Sequence, residues 1–345
     1  MTVAGSPPWG DRVWIVAELS GNHNGDKQRA LELIAMAADA GADAVKFQTY
    51  TPDSLTIDAD TDAFRIGAGT PWEDRRLYEL YGEAATPYEW HDDLFATAEA
   101  HGLVPFSTPF DAAAVELLEE YDPLVHKIAS FELVDLELIR VAAATGRTLV
   151  MSTGMATEDE IDDAVGAAVD AGAGGVVLLR CNSAYPAPPE EMDLRTMADM
   201  AARWDVPVGL SDHTLGTTVA VTGVALGACM IEKHVTLARA DGGPDASFSL
   251  EPDELRQLVA AVREAEASLG GVRYGPTAGE EASRVFRRSL FVVADVAAGE
   301  PFTRENVRCI RPGHGLAPKH LDDVLGRRAT AAVVRGTPLS WDLVG

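Results

Sequence analysis

The sequence predicts an α/β protein: a (β/α)8 TIM barrel followed by a small, mostly β domain. Three observations predict it. Short β-branched runs alternate with longer alanine-rich helical segments as far as Gly270. Reactive side chains fall at the carboxyl ends of those runs, and beyond Gly270 the pattern changes to short strands separated by turns. A chain of 345 residues accommodates one large domain and a small one. The expected division is a barrel over 1–270, a Gly-containing linker over 271–284 and the small domain over 285–345.

The predicted barrel strands are Val13–Leu19, Ala44–Tyr50, Val104–Thr108, His126–Ser130, Thr148–Thr153, Val176–Cys181, Pro207–Ser211 and Met230–Val235. Between them, apolar spacing near 3.6 predicts helices such as Gln28–Ala40, Ala112–Tyr121, Ile161–Ala171 and Leu255–Leu269. Thr157 followed by Glu160 is a capping-box signal, and Gly41, Gly102, Gly146 and Gly172 follow predicted helix ends. An open doubly wound sheet is the competing architecture, but no GxGxxG follows the first strand. Thr51–Ala85, rich in Asp, Gly and aromatics, is about 35 residues long, the length of a functional lid or binding loop. In the C-terminal part, Arg288–Val296, Val307–Arg311 and Ala329–Val334 read as short strands.

Composition narrows the functional class. Hydrophobic residues make up 47% and charged residues 24%, with no apolar run long enough to cross a bilayer. Met1–Gly10 lacks the basic and apolar regions of a secretory signal. Three widely spaced cysteines (Cys181, Cys229, Cys309) argue for a reducing, cytoplasmic setting and against a disulfide scaffold. The net charge of −26 repels nucleic acid and anionic membranes. An anionic substrate would therefore require the few basic residues to be concentrated at its site.

Polar groups end every predicted strand. Two imidazoles, His213 and His234, end adjacent strands and suit a divalent metal, with Asp212 as a further ligand or an orienting group. Lys46 and Lys127 stand within strands that are otherwise apolar. They either form ion pairs with Glu18 or Glu132, or neutralise a phosphate or carboxylate. Thr108, Ser130, Ser152 and Ser211 add hydroxyl donors for an anion pocket. Glu18 reads equally as an acid/base and as a lysine's partner. Gln48 shares a strand with Lys46, and Ser183 and Tyr185 follow the sixth strand, where they could hold sugar hydroxyls or acetamido groups.

The segments IVAELSGNHNG, GADAVKFQTY, FSTPFD, KIAS, STGM, CNSAYP, GLSDHTLG and ALGACMIEKHV resemble, in order and spacing, the sialic acid synthase family of phosphoenolpyruvate-dependent nonulosonic acid synthases. RSLFVVADVAAGEPFTRENVRCIRPGHGL resembles the antifreeze-protein-like (SAF) domain that follows the barrel in that family. QTYTPDSLT, the LYELY segment, KIASFE and FSLEPDE resemble its pseudaminic acid branch, and Ser183 stands where the neuraminic branch has asparagine.

The resemblance implies condensation of phosphoenolpyruvate with the open-chain 2,4-diacetamido-2,4,6-trideoxy-L-altrose. Carbon 3 would attack the aldehyde, water would add at carbon 2, and phosphate would leave by C–O cleavage. It implies manganese on His213 and His234, and Glu18 managing the water's proton. Lys46, Lys127, Thr108, Ser130, Ser152 and Ser211 would hold phosphate and carboxylate. It further implies a homodimer whose SAF domain covers the partner's barrel, with Arg311 reaching an acetamido group of the sugar. Neuraminic or legionaminic acid synthesis, a lysine Schiff-base aldolase and a carbohydrate- or ice-binding protein are the competing expectations.

Overall fold

The computed structural model describes residues 7–345, so the reading of Met1–Gly10 lies largely outside the described residues. The chain divides into two compact units, the first ending at Gly270 and the second running Gly271–Gly345.

The first unit is the expected barrel. Its strands are β1 (Trp14–Glu18), β2 (Ala44–Thr49), β3 (Val104–Pro109), β4 (Val125–Ile128), β5 (Thr148–Ser152), β6 (Gly175–Cys181), β7 (Val208–Ser211) and β8 (Met230–His234). All pair in parallel in the order β3-β2-β1-β8-β7-β6-β5-β4, and β3 lies against β4 to close the ring. The helices form where predicted, with local causes. Lys27–Ala40 starts at Asp26, whose side chain accepts from Gln28 N, and stops at Gly41 in the left-handed region (φ 88°). Its buried Ala30, Leu33, Ile34 and Ala37 follow the helical period. Glu158–Asp170 begins with the capping box of Thr157 and Glu160.

The strands' alternation sorts side chains into two layers. Ile15, Ala17, Val45, Phe47, Leu149, Met151, Leu178, Leu210 and Ile231 face outward into the core shared with the helices. Trp14, Val16, Ala44, Phe106, Val125, Val150, Val177, Leu179 and Met230 fill the lower interior. The next inward positions toward the carboxyl ends are Glu18, Lys46, Lys127, Glu232 and His234, all buried. Register sets Glu18 beside both Lys46 and His234. The barrel is thus apolar at its base and charged at its mouth.

The long connection after β2 contains a short helix, Pro52–Leu55, and a second, Leu77–Ala84. In the second unit, β9 (Ser289–Val292) pairs antiparallel with β10 (Val307–Ile310), around Leu290, Val292, Val296, Phe302, Val307 and Leu339. Ala329–Val334, expected as a strand, forms no ladder. Ala329 bridges Val344 while Val333 bridges Val296, so its two ends pair with different segments.

Candidate active site

A cavity of about 360 Å³ opens at the carboxyl ends of the strands. Lys46, Gln48, Lys127, Ser130, Ser152, Tyr185, Ser211, His213 and His234 line it. Glu18 and Thr108 lie buried beside Lys46 at its floor: Lys46 Nζ stands 2.7 Å from Glu18 Oε2 and donates to Thr108 Oγ1 at 3.1 Å. Ser183 is near enough to Ser130 that a side chain on Gly154 would strike both hydroxyls. Arg311 belongs to the second unit, exposed just past β10, and is not among the lining residues.

Glu232 organises the lysines. Its carboxylate lies 3.5 Å from Lys46 Nζ and 3.9 Å from Lys127 Nζ, and it accepts from Ser211 Oγ at 3.3 Å. Lys127 donates to Ser152 Oγ at 2.6 Å and to its neighbour Ile128's carbonyl at 3.2 Å. Burial opposes the charge of Lys46, but Glu18 and Glu232 overcome it and raise its pKa. Lys127, with the more distant partner, is held below the ordinary lysine range by burial. Burial likewise raises Glu18, against the pull of Lys46. For Glu232 burial raises the pKa, but Lys127 and Lys46 pull it below the usual carboxylate range. An arriving phosphate would favour the ammonium form of Lys127 and extend the charge network rather than disrupt it.

The two imidazoles are close, with ring centroids 5.2 Å apart. His213 Nδ1 donates to the Asn182 carbonyl at 2.7 Å; burial lowers the pKa of this ring, but Cys181 and the Asn182 carbonyl outweigh burial and raise it, so a cation on Nε2 would displace a proton there. His234 Nδ1 lies 3.0 Å from Ser20 Oγ, and burial followed by His213 and the lysines hold this ring well below the usual histidine range, neutral. Two rings anchored through Nδ1, with Nε2 left over, suit a divalent cation. Among the described residues no group of three or more His, Cys, Asp or Glu is gathered for a metal, so water and substrate would complete the coordination. Asp212 pairs with Lys233 at 2.8 Å.

Beside them, the Cys181 thiol is pushed up by burial but drawn down more strongly by His213, then Ser130 and Lys127, to about 7. Tyr185 packs 4.4 Å from His213, and Phe248 packs 5.1 Å from His234. The expected lid reaches this wall: Trp72 lies 5.4 Å from Tyr185 and donates to the Pro244 carbonyl at 2.7 Å.

Sequence reasoning missed Glu232, Asp245 and Trp72, and treated Glu132 only as a lysine partner. Glu232 was detectable, because it stands two residues before His234 and so on the same face of the strand. Asp245 and Trp72 come from irregular segments, where no period marks the inward side. Glu132 lines the cavity with Oε2 buried and unpaired, and burial pushes its carboxyl up to about 7.

The chain is similar to known proteins. Residues 33–274 match the NeuB family and residues 287–345 match the SAF domain. The chain is 43% identical over 328 residues to the pseudaminic acid synthase of Campylobacter jejuni subsp. jejuni serotype O:23/36, with 95% of each chain covered. It is 42% identical over 330 residues to the pseudaminic acid synthase of Helicobacter pylori, covering 95% of this chain and 96% of that one. The crystal structure of N-acetylneuraminic acid (sialic acid) synthetase from Leptospira borgpetersenii serovar Hardjo-bovis in complex with citrate superposes with a TM-score of 0.70 at 30% identity, over 79% of this chain and 90% of that one. With the family match spanning most of the barrel and the likeness running nearly end to end, the chain belongs to the NeuB family.

Proposed function

We propose that this enzyme condenses phosphoenolpyruvate with an open-chain 2,4-diacetamido-2,4,6-trideoxy hexose of the L-altrose form and water, giving pseudaminic acid and phosphate. The observation that carries this reading is one cavity lined by two lysines and two anchored imidazoles in a chain so similar to pseudaminic acid synthases. Lys46 and Lys127 would face the phosphate and carboxylate, with Thr108, Ser130, Ser152 and Ser211 supplying hydroxyl donors. Glu18, whose proton affinity is raised by burial, would take and return the proton of the incoming water. Gln48, Ser183 and Tyr185 would hold the acceptor. Ser183 Oγ is buried without a protein partner, which supports a substrate contact there. A divalent cation, manganese in this reading, would be held by His213 and His234 and would act as a Lewis acid on the acceptor's aldehyde.

The acceptor assignment has physical support. Leu55, Ile66, Leu77, Leu80, Phe110 and Phe131 form an apolar wall of the cavity. Each sugar hydroxyl buried there without a partner costs about 1–3 kcal/mol, whereas a methyl group gains roughly 0.8 kcal/mol. A trideoxy sugar with acetyl methyls suits such a wall better than N-acetylmannosamine.

The reading includes a cytoplasmic homodimer in which Arg311 reaches the partner's cavity. Exposed Val134, Met155 and Leu215 on the first unit, and exposed Val272, Tyr274 and Phe286 on the second, support a partner on each. Three free thiols support the compartment, and among the described residues no helix is long and apolar enough to cross a membrane.

The test is phosphate release from phosphoenolpyruvate with manganese and a panel of 2-acetamido and 2,4-diacetamido sugars. Preference for the L-altrose acceptor is expected. Preference for N-acetylmannosamine would overturn the acceptor assignment, and activity on pyruvate that survives a chelator would overturn the class.

A further inference from the structure

Backbone pairing between β7 and β8 ends just where the histidines begin. Ser211 and Glu232 are the last residues in register, and Asp212 N donates to the Glu232 carbonyl at 2.9 Å. Beyond this the two segments part. The His213 carbonyl accepts from Ala187 N at 3.0 Å, while the His234 carbonyl accepts from Leu250 N at 2.8 Å. No ladder bond therefore sets the distance between the imidazoles.

A side-chain link takes its place. Lys233 Nζ donates to Asp212 Oδ2 at 2.8 Å and also to the carbonyl of Thr214. One ammonium thus holds the residues on both sides of His213, while its own backbone carries His234. Asp212 Oδ1 accepts from Thr214 N at 2.9 Å and Thr214 Oγ1 at 2.7 Å, which fixes the turn. The pair is shut off from water, with side-chain exposure of 1% for Lys233 and 0% for Asp212. Burying two charges costs several kcal/mol per ion before their attraction is counted, so such a pair is poor evidence of added stability. What it does supply is a fixed separation in a low-dielectric setting.

We infer that the Lys233–Asp212 pair is a positioning clamp that sets the spacing of His213 and His234 and thereby the affinity for the divalent cation. The inference rests on the metal reading above. With only two imidazoles available, their relative placement carries a large share of the binding.

The test titrates full-length, metal-free protein with manganese chloride alone, reading free Mn²⁺ by electron paramagnetic resonance. The double variant Asp212→Asn/Lys233→Met removes both charges together, leaves no charge unpaired and keeps the two bonds that Thr214 donates, giving up only the one its carbonyl accepts. It is expected to bind Mn²⁺ about 10–100-fold more weakly, with the KM for phosphoenolpyruvate within two-fold of wild type. A folded double variant with unchanged Mn²⁺ affinity overturns the inference. If the double variant fails to fold, Lys233→Arg, which keeps the charge and alters the reach, decides instead: weakened Mn²⁺ binding supports the clamp, and affinity within two-fold of wild type overturns it. A wild type that binds Mn²⁺ no better than His213→Ala overturns the metal reading, and the clamp falls with it.

Discussion

Gly154→Ala tests the anion cradle at its tightest point. Gly154 follows β5, and a Cβ placed on it would stand 2.2 Å from Ser183 Oγ, 2.8 Å from Ser130 Oγ and 3.1 Å from Ser130 Cβ. The first two distances lie below the 3.0 Å that real Cβ atoms keep. Both hydroxyls can rotate away, but Ser130, which lines the cavity, then loses the bond it accepts from Gly154 N at 3.2 Å. An overpacked site of this kind costs about 1–3 kcal/mol of stability. Losing the Ser130 contact to a charged ligand costs about 1.5–3 kcal/mol and losing the Ser183 contact to the uncharged acceptor about 0.5–1.5 kcal/mol, less whatever water replaces. Together these give a fall in kcat/KM of roughly 10²-fold or more. The assay is continuous phosphate release with phosphoenolpyruvate varied, alongside thermal melting. Gly166→Ala is the control: it lies in the helix Glu158–Asp170, nothing stands within 4 Å of its Cβ, and it should melt unchanged or higher with full activity. A Gly154→Ala enzyme with kcat/KM within two-fold of wild type would refute the assignment of Ser130 and Ser183 to the substrate.

Three further outcomes follow from the same geometry. His213→Ala and His234→Ala should each lower turnover by about 10³-fold or more in saturating manganese, while calorimetry still detects phosphoenolpyruvate; full activity in either would remove the metal from the scheme. Glu132, raised to about 7 in the folded chain against 4.5 for the free group, contributes stability that is fully present below about pH 4.5 and lost as the pH rises through about 7. The stability difference between wild type and Glu132→Gln, from urea unfolding, should therefore decline across that window by at most about 3 kcal/mol; a difference independent of pH would contradict the buried placement. Trp72→Ala gives up the bond to the Pro244 carbonyl and the packing on Tyr185, together about 2 kcal/mol. The KM of the acceptor should rise roughly 30-fold and that of phosphoenolpyruvate much less; equal rises would mean that the lid does not discriminate between the substrates.

The acidic surface and the site make opposite electrostatic demands. The net charge of −26 repels phosphoenolpyruvate at long range. The cavity answers with two lysines, paired with Glu18 and Glu232, while burial raises the proton affinities of Glu18 and of Glu132 nearby and the lysines lower that of Glu232. The chain's scarce basic residues matter through position rather than number.

The sequence by itself determined the barrel, the helices with their caps, and the ring of polar residues at the strand ends. These properties are local: a two-residue alternation decides which face is buried, and one Thr-to-Glu spacing decides where Glu158–Asp170 begins. Only the tertiary structure decided which charges meet. Lys46 was open to pairing with Glu18 or Glu132, yet it takes Glu18 and Glu232, while Glu132 is left with an unpaired oxygen. Trp72 could not be assigned to the wall around Tyr185, nor Ala329–Val334 to two different neighbours. Contacts across a barrel depend on register and closure between strands far apart in the chain, and a pattern confined to one strand carries no information about either.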